Sequence, residues 1–410
     1  WCEAHVNALK QAGLYENTII FFWSDHGVGL PRAKRWLYDS GTHIPLIIHT
    51  PKSFQVKGQP ASGTVVDELV SSIDLGPTVL NLAGVPIPEH IQGQPFLGAD
   101  RPKPRDYVYG ARDRMDERYD IIRMVRNKRY KYIRNYEPLK TFYQYMNTPE
   151  KGATMKNLRE LHLQGSLPKE AEYYFSSQKP VEELYDTQQD PYELVNLASE
   201  PNYQGTLKTL RQAHIQWVQE TKDLGLIAEP ILVERQNKLG NQYDILRSTD
   251  DKSLVKRIGE TALLASEGPT AMPRLIEALE DKDAAVRYWA ATGLGNIGVS
   301  ASAAAPRLTQ LLKTETSSVV RTAAARALCM FDKPDAALPK LVKELQDGAQ
   351  WERLHAAIVL DQIDDQARPV IAEMHKALKP RTDLYANGKY VVRVINRALN
   401  QLEQTSRVVP

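Results

Sequence analysis

Ser24-Asp25-His26-Gly27 is the segment of this sequence whose residue types could do chemistry. A carboxylate and an imidazole stand side by side. They follow the apolar run Thr18 to Trp23, which is short and rich in β-branched and aromatic residues, as a buried strand is. Ligand sites in α/β sheets lie outside the carboxyl ends of strands, so Asp25 and His26 are placed where a divalent cation could be held. Gly27 would let the backbone leave the strand sharply. Lys34, nine residues beyond Asp25, could return a compact ammonium to a sulfate or phosphate held by that cation. Taken alone, Asp-His-Gly reads more readily as a polar loop, because such residues commonly follow strands.

The other candidates are weaker. His43 precedes Pro45 by two residues and could line the same site, although a structural histidine is the commoner case. His5, His90, His162, His214, His355 and His375 form no ligand-spaced cluster. Cys2 and Cys329 are the two cysteines of the chain and make neither a disulfide framework nor a zinc spacing. The run Arg126 to Arg134 is basic with Tyr130 and Tyr132 interleaved, but a two-sided hairpin around Asn127-Lys128 explains that alternation better than nucleic-acid binding. A net charge of +2 supplies no global pull toward nucleic acid or anionic membrane. No apolar run is long enough to span a bilayer. The 42% hydrophobic and 25% charged shares are those of a globular chain, and 410 residues suggest two or three domains.

The elements that must position the candidates alternate at first. A helix from Trp1 stops near Gly13, strands follow at 18–23 and 44–49, and a helix spans 72–83. That alternation predicts an α/β layered domain over residues 1–105. Residues 106–225 predict a small α+β subdomain: the hairpin 121–136, a strand at 183–186, a turn at Asp190-Pro191 and a helix over 203–223. Residues 226–252 read as a linker. From 253 to 410 the sequence repeats. Pro273, Pro306 and Pro339 each open a helix at steps of 33, and Arg287, Arg321 and Arg353 sit at matching places in the second helices. Stacked helix pairs of this length predict an all-α solenoid that folds as its own unit. The chain opens on Trp1 inside an amphipathic pattern, so it reads as a fragment.

The longer strings around these residues resemble the formylglycine-dependent sulfatases of the alkaline phosphatase-like superfamily. The resemblance runs through 24–41, through Ser72-Ile73-Asp74-Leu75-Gly76-Pro77-Thr78, and through Leu184-Tyr185-Asp186, Asp190-Pro191-Tyr192-Glu193 and Asn196-Leu197-Ala198. It covers residues 1–225, and the tail resembles HEAT repeats. It implies a partial sulfatase α/β core with Asp25 and His26 as metal ligands and Lys34 as the contact to the substrate sulfate. The implied metal is Ca2+, with Mn2+ or another divalent ion as the alternative, since imidazole suits transition metals better. The strings at 112–117, 123–125 and 131–136 are similar to the sulfamidase (heparan N-sulfatase) branch, which implies that Arg114 and Glu117 border a sugar pocket. The alternative for that charged cluster is a solvated loop.

The family nucleophile motif, Cys/Ser-x-Pro-x-Arg, is absent at Cys2 and at Cys329, so the formylglycine is expected upstream and the chain alone is expected to be inactive. The implied parent hydrolyses sulfate esters or N-sulfamates of a sulfated glycan or other sulfated small molecule. It is expected in the periplasm or outside the cell, without nucleic-acid or membrane partners. A protein partner is expected for the repeats. Two rivals stand beside this reading: a phosphoester or phosphonate hydrolase of the same superfamily, and a HEAT-repeat scaffold with a degenerate hydrolase portion.

Overall fold

The computed structural model describes residues 1–56 and 59–409. The chain divides into two compact units, each drawn from several segments: Trp1–Gly110, Arg123–Ile133 and Glu183–Leu210 in the first, and Ala111–Ile122, Arg134–Glu182 and Arg211–Pro410 in the second. These cuts do not fall at 105, 225 or 252. Among the described residues no helix is long and apolar enough to cross a membrane.

The first unit begins with helix α1, Cys2–Gln11, which ends before Gly13 in the left-handed conformation that glycine adopts without steric cost. Strand β1, Ile20–Trp23, pairs antiparallel with β2, Leu46–His49, in the register Phe22↔Ile47 and Trp23↔Leu46. β1 is not the buried strand its composition suggests. Phe22 is 39% exposed, Trp23 47% and Ile47 64%, because a two-stranded sheet covers few of its own side chains. Between the strands lies the short helix α2, Asp39–Thr42. Helix α3, Leu75–Leu82, follows a single tight turn over Ser72–Asp74. The carboxylate of Asp74 accepts from the backbone of Ser71 at 2.8 Å and of Gln94 at 2.9 Å and pairs with Arg105. The Asp-x-x-Pro-Thr string is thus a helix cap, with Pro77 and Thr78 buried behind it.

A four-stranded sheet has the order β3-β4-β5-β6, with β3 at Val108–Met115, β4 at Arg118–Arg126, β5 at Tyr130–Asn135 and β6 at Glu182–Asp186. The hairpin is where the sequence places it. The Asn127 side chain accepts from the backbone N–H groups of Arg129 (2.9 Å) and Tyr130 (2.6 Å), a local bond that a short side chain with an acceptor oxygen makes readily.

The second unit is dominated by paired helices: Met272–Ala278 with Ala284–Ile297, Ala305–Thr314 with Ser318–Met330, and Leu338–Asp347 with Gln350–Gln362. Pro273, Pro306 and Pro339 sit in the first turns, where a missing N–H costs nothing. The repeated arginine has a definite task. Arg287 reaches Glu315 at 2.7 Å and Arg321 reaches Glu344 at 2.8 Å, each an acid of the following repeat. These helices do not bury a core of their own. They share it with Tyr119, Ile121, Tyr136, Val218, Leu226 and Ile231, so the expectation of a separately folding tail does not hold.

Candidate functional site

The Asp25–His26 pair sits on the turn that leaves β1. Two glycines fix how closely the backbone folds there. Gly27 donates its N–H to the Gly41 carbonyl at 2.9 Å, and a Cβ on Gly27 would stand 1.9 Å from the Ser40 carbonyl oxygen. No other residue fits that crossing. His26 Nδ1 lies 2.6 Å from the Gly27 carbonyl, which can only accept, so Nδ1 carries the proton in that bond. Nε2, the other ring nitrogen, stands 3.5 Å from Asp25 Oδ2. Asp25 is 84% exposed. This is the tautomer a metal-binding imidazole takes when a backbone carbonyl holds its far nitrogen.

Two donors are half of a metal shell at most. Among the described residues no group of three or more His, Cys, Asp or Glu could hold an ion. The pair nonetheless has donor types that suit a divalent cation: an open carboxylate, and an imidazole nitrogen beside it. The carboxylate would serve calcium and the imidazole a transition metal.

Lys34 lies on the loop after the pair, with its backbone N–H bonded to the Val28 carbonyl at 3.1 Å. Its side chain is exposed and makes no hydrogen bond or ion pair among the described residues. The backbone around it is strained. Arg32 (φ 59°) and Arg35 (φ 76°) are both left-handed without being glycine. Behind the loop is a cluster that sequence reasoning missed. Lys131 is fully buried, donates to the Leu37 carbonyl (3.0 Å) and forms ion pairs with Asp39 (2.6 Å) and Glu193 (2.8 Å). Arg126 grips Asp39 with both ends of its guanidinium, at 3.2 and 3.0 Å. Burial works to raise the Asp39 carboxyl, but Lys131 and Arg126 outweigh it and hold that group below its usual range. For Glu193 burial wins over Lys131, and its carboxyl is pushed up. No pattern in the chain announces this cluster, because Asp39, Lys131 and Glu193 are far apart in sequence.

His43 is three-quarters exposed, with Nδ1 3.9 Å from Asp39. Arg114 and Glu117 belong to the second unit, whose packing gives them other partners. Arg114 forks onto Glu229 at 2.7 and 3.2 Å, and its guanidinium lies over the Trp351 ring at 4.0 Å. Glu117 is fully buried, accepts from the Asn147 backbone at 2.6 Å and lies 3.4 Å from Arg393. Glu117 is thus an internal partner at the β3–β4 turn, not an exposed contact.

Residues 3–85 match the Sulfatase family, and residues 243–329 match HEAT repeats. An ulvan-active sulfatase of Formosa agariphila is 41% identical over 248 residues, 60% of this chain and 40% of that protein. A second ulvan-active sulfatase of the same organism is 29% identical over 235 residues, 55% of this chain and 43% of that protein. The human N-sulphoglucosamine sulphohydrolase is 26% identical over 251 residues, 56% of this chain and 47% of that protein. The chain therefore spans less than half the length of each.

Proposed function

We propose that this chain, a sulfatase relative that carries HEAT repeats, is part of a hydrolase of sulfate esters or N-sulfamates on glycans. One observation carries the reading: within the segment kin to sulfatases, an open carboxylate and an imidazole held by a backbone carbonyl share a turn, and an unpartnered lysine follows on a pinned loop. In this proposal Asp25 and His26 would hold a divalent cation, Ca2+ or Mn2+, whose chemistry is to polarise a sulfate oxygen. Lys34 would place its ammonium against another sulfate oxygen, where a fixed charge helps most as negative charge builds in the transition state. His43 would line the same approach, and Arg114 keeps at most an indirect part through its stack on Trp351. The nucleophile is assigned to a formylglycine outside these residues. The repeats are assigned to binding a protein partner or placing the substrate, and the site of action to the periplasm or the exterior.

The test uses the full-length protein with an aryl sulfate, an aryl phosphate and a sulfated oligosaccharide. Sulfate release that falls with chelation and returns with Ca2+ or Mn2+ is the expected result. Phosphate release faster than sulfate release would move the assignment to a phosphoester hydrolase. No turnover of any of the three, with the fold intact, would favour the scaffold reading.

A further inference from the structure

The string Asp190-Pro191-Tyr192-Glu193 takes no part in the chemistry above, yet its geometry is tightly built. Asp190 Oδ2 accepts from the backbone of Leu194 at 2.7 Å and of Val195 at 2.8 Å, and Asn196 Oδ1 accepts from Leu184 at 2.9 Å and Ala198 at 3.0 Å. These side chains staple a turn whose product is the placement of one buried carboxylate. We infer that Glu193, with Lys131, is a positioning residue for Lys34, and that the stapled turn exists to hold the loop that presents that lysine.

The contacts converge on both flanks of the loop. On the near flank, the Arg32 guanidinium donates to the carbonyls of Tyr192 (2.9 Å) and Glu193 and lies over the Tyr38 ring at 3.6 Å. On the far flank, the Glu193 carboxylate accepts from the Asp39 backbone at 2.6 Å and is ion-paired at 2.8 Å with Lys131, which donates to the Leu37 carbonyl. Tyr38 donates to Glu183 at 2.8 Å, one strand away in the same stapled segment. The residues between these anchors, 33 to 36, have no helix or strand bonds to define them.

Two facts argue that this is more than ordinary packing. Arg32, Arg35 and Glu193 are all left-handed, and non-glycine residues stay there only when their surroundings over-determine them, as at ligand clamps. The buried charges also balance: Asp39 and Glu193 against Lys131 and Arg126. Such a network is stable only when all its members are paired, so it tolerates one geometry of the loop and penalises others. A lysine on a flexible stem gains its precision from the backbone that carries it, and a displacement of 1 Å at a reacting centre can cost about 100-fold in rate.

The inference rests on the proposed role of Lys34, so its test has two arms. In the first, hydrogen exchange is followed on the 410-residue chain carrying Glu193→Gln. The amides of residues 28–38 should exchange about tenfold faster while the solenoid amides stay unchanged. Unchanged exchange in that loop would overturn the inference. Arg32→Ala is the second variant, since this half-exposed side chain can be removed with the fold kept, and it should loosen the same amides. In the second arm, kcat/KM for an aryl sulfate is measured on the full-length protein as a cycle of Lys34→Ala and Glu193→Gln. Each single change should lower it by about 100-fold, and the double variant should fall little further, because Glu193 acts through Lys34. Losses that multiply would mean that Glu193 merely supports the fold, and the inference would be wrong. Absence of sulfate release from the unaltered protein would be a failure of the hydrolase proposal alone, and the exchange arm would then decide this inference.

Discussion

His355 allows a prediction whose size follows from the structure. The residue lies on the helix Gln350–Gln362, buried, with its ring stacked on Tyr119 at 4.1 Å and 25°. Its Nε2 is buried with no hydrogen-bond partner among the described residues. Burial first, and the nearby Lys140 second, push its pKa down to about 3. In the unfolded chain it is an ordinary histidine titrating near 6.5. The unfolded state therefore takes up a proton below 6.5 that the folded state refuses. Stability from this group is complete above 6.5 and is lost as pH falls toward 3. At about pH 4.5 the unfolded form lies roughly two pH units below its pKa, so the loss is about 2 × 1.36, or roughly 2.7 kcal/mol. Any folded value below 4.5 gives nearly the same figure. Replacing His355 with Phe keeps the ring on Tyr119 and removes both the proton site and the unpaired nitrogen. Urea unfolding would be followed by far-UV circular dichroism, which reports the helices of this unit. Between about pH 7 and 4.5 the His355→Phe chain should lose roughly 2.7 kcal/mol less than the unaltered one. Equal losses in the two chains would refute the reasoning, since the histidine would then be protonated in the folded state too.

Other outcomes are expected. In the full-length protein, Lys34→Ala should lower kcat/KM by the equivalent of about 2–4 kcal/mol, with unfolding stability within about 0.5 kcal/mol, because the side chain is exposed and unpartnered. Unchanged turnover would reduce Lys34 to a surface charge. Ala324 is fully buried on the helix Ser318–Met330, so Ala324→Trp should overpack the repeat and cost on the order of 1–3 kcal/mol or more by urea denaturation. Ending the chain at residue 252 should strip the cover from Tyr119, Ile121, Tyr136 and Leu226, and the shortened chain should show rapid proteolysis of residues 111–182. Protection of that stretch at the full-length level would mean that the shared core is dispensable.

The sequence was legible wherever a local rule sets the structure. Asn127 beside Lys128 marks the hairpin because an amide side chain closes that turn within three residues. Pro273, Pro306 and Pro339 mark helix starts because proline suits a first turn and no later one. The Asp25–His26 turn was legible because the glycine and the strand before it are neighbours in sequence. The rest depends on what comes close from afar. The apolar run Thr18 to Trp23 does form a strand, yet whether a strand is covered is decided by other segments, so Phe22 and Ile47 are exposed. The burial of Glu117 gave no sign in the sequence because its partners, Asn147 and Arg393, lie far along the chain. Arg32 and Arg35 gave no sign of left-handed backbone, since arginine has no preference for it and only the contacts impose it.

The bond from the Asp39 backbone to the Glu193 carboxylate spans 154 residues of sequence. During synthesis the segment that bears Lys34 leaves the ribosome long before its anchor exists. At about 5–20 residues per second, the 154 residues take about 8 to 30 s. For that time Glu193 cannot define the loop, although Lys131 emerges earlier, and the left-handed arginines are free to relax to ordinary backbone. The Asp25–His26 turn and the loop that bears Lys34 therefore take their final arrangement late, as one event, when the stapled turn arrives. Variants that slow or weaken the stapled turn should accumulate chains in which Asp25 and His26 are present but the loop beside them is unformed, and their defect should appear first as a delay in maturation.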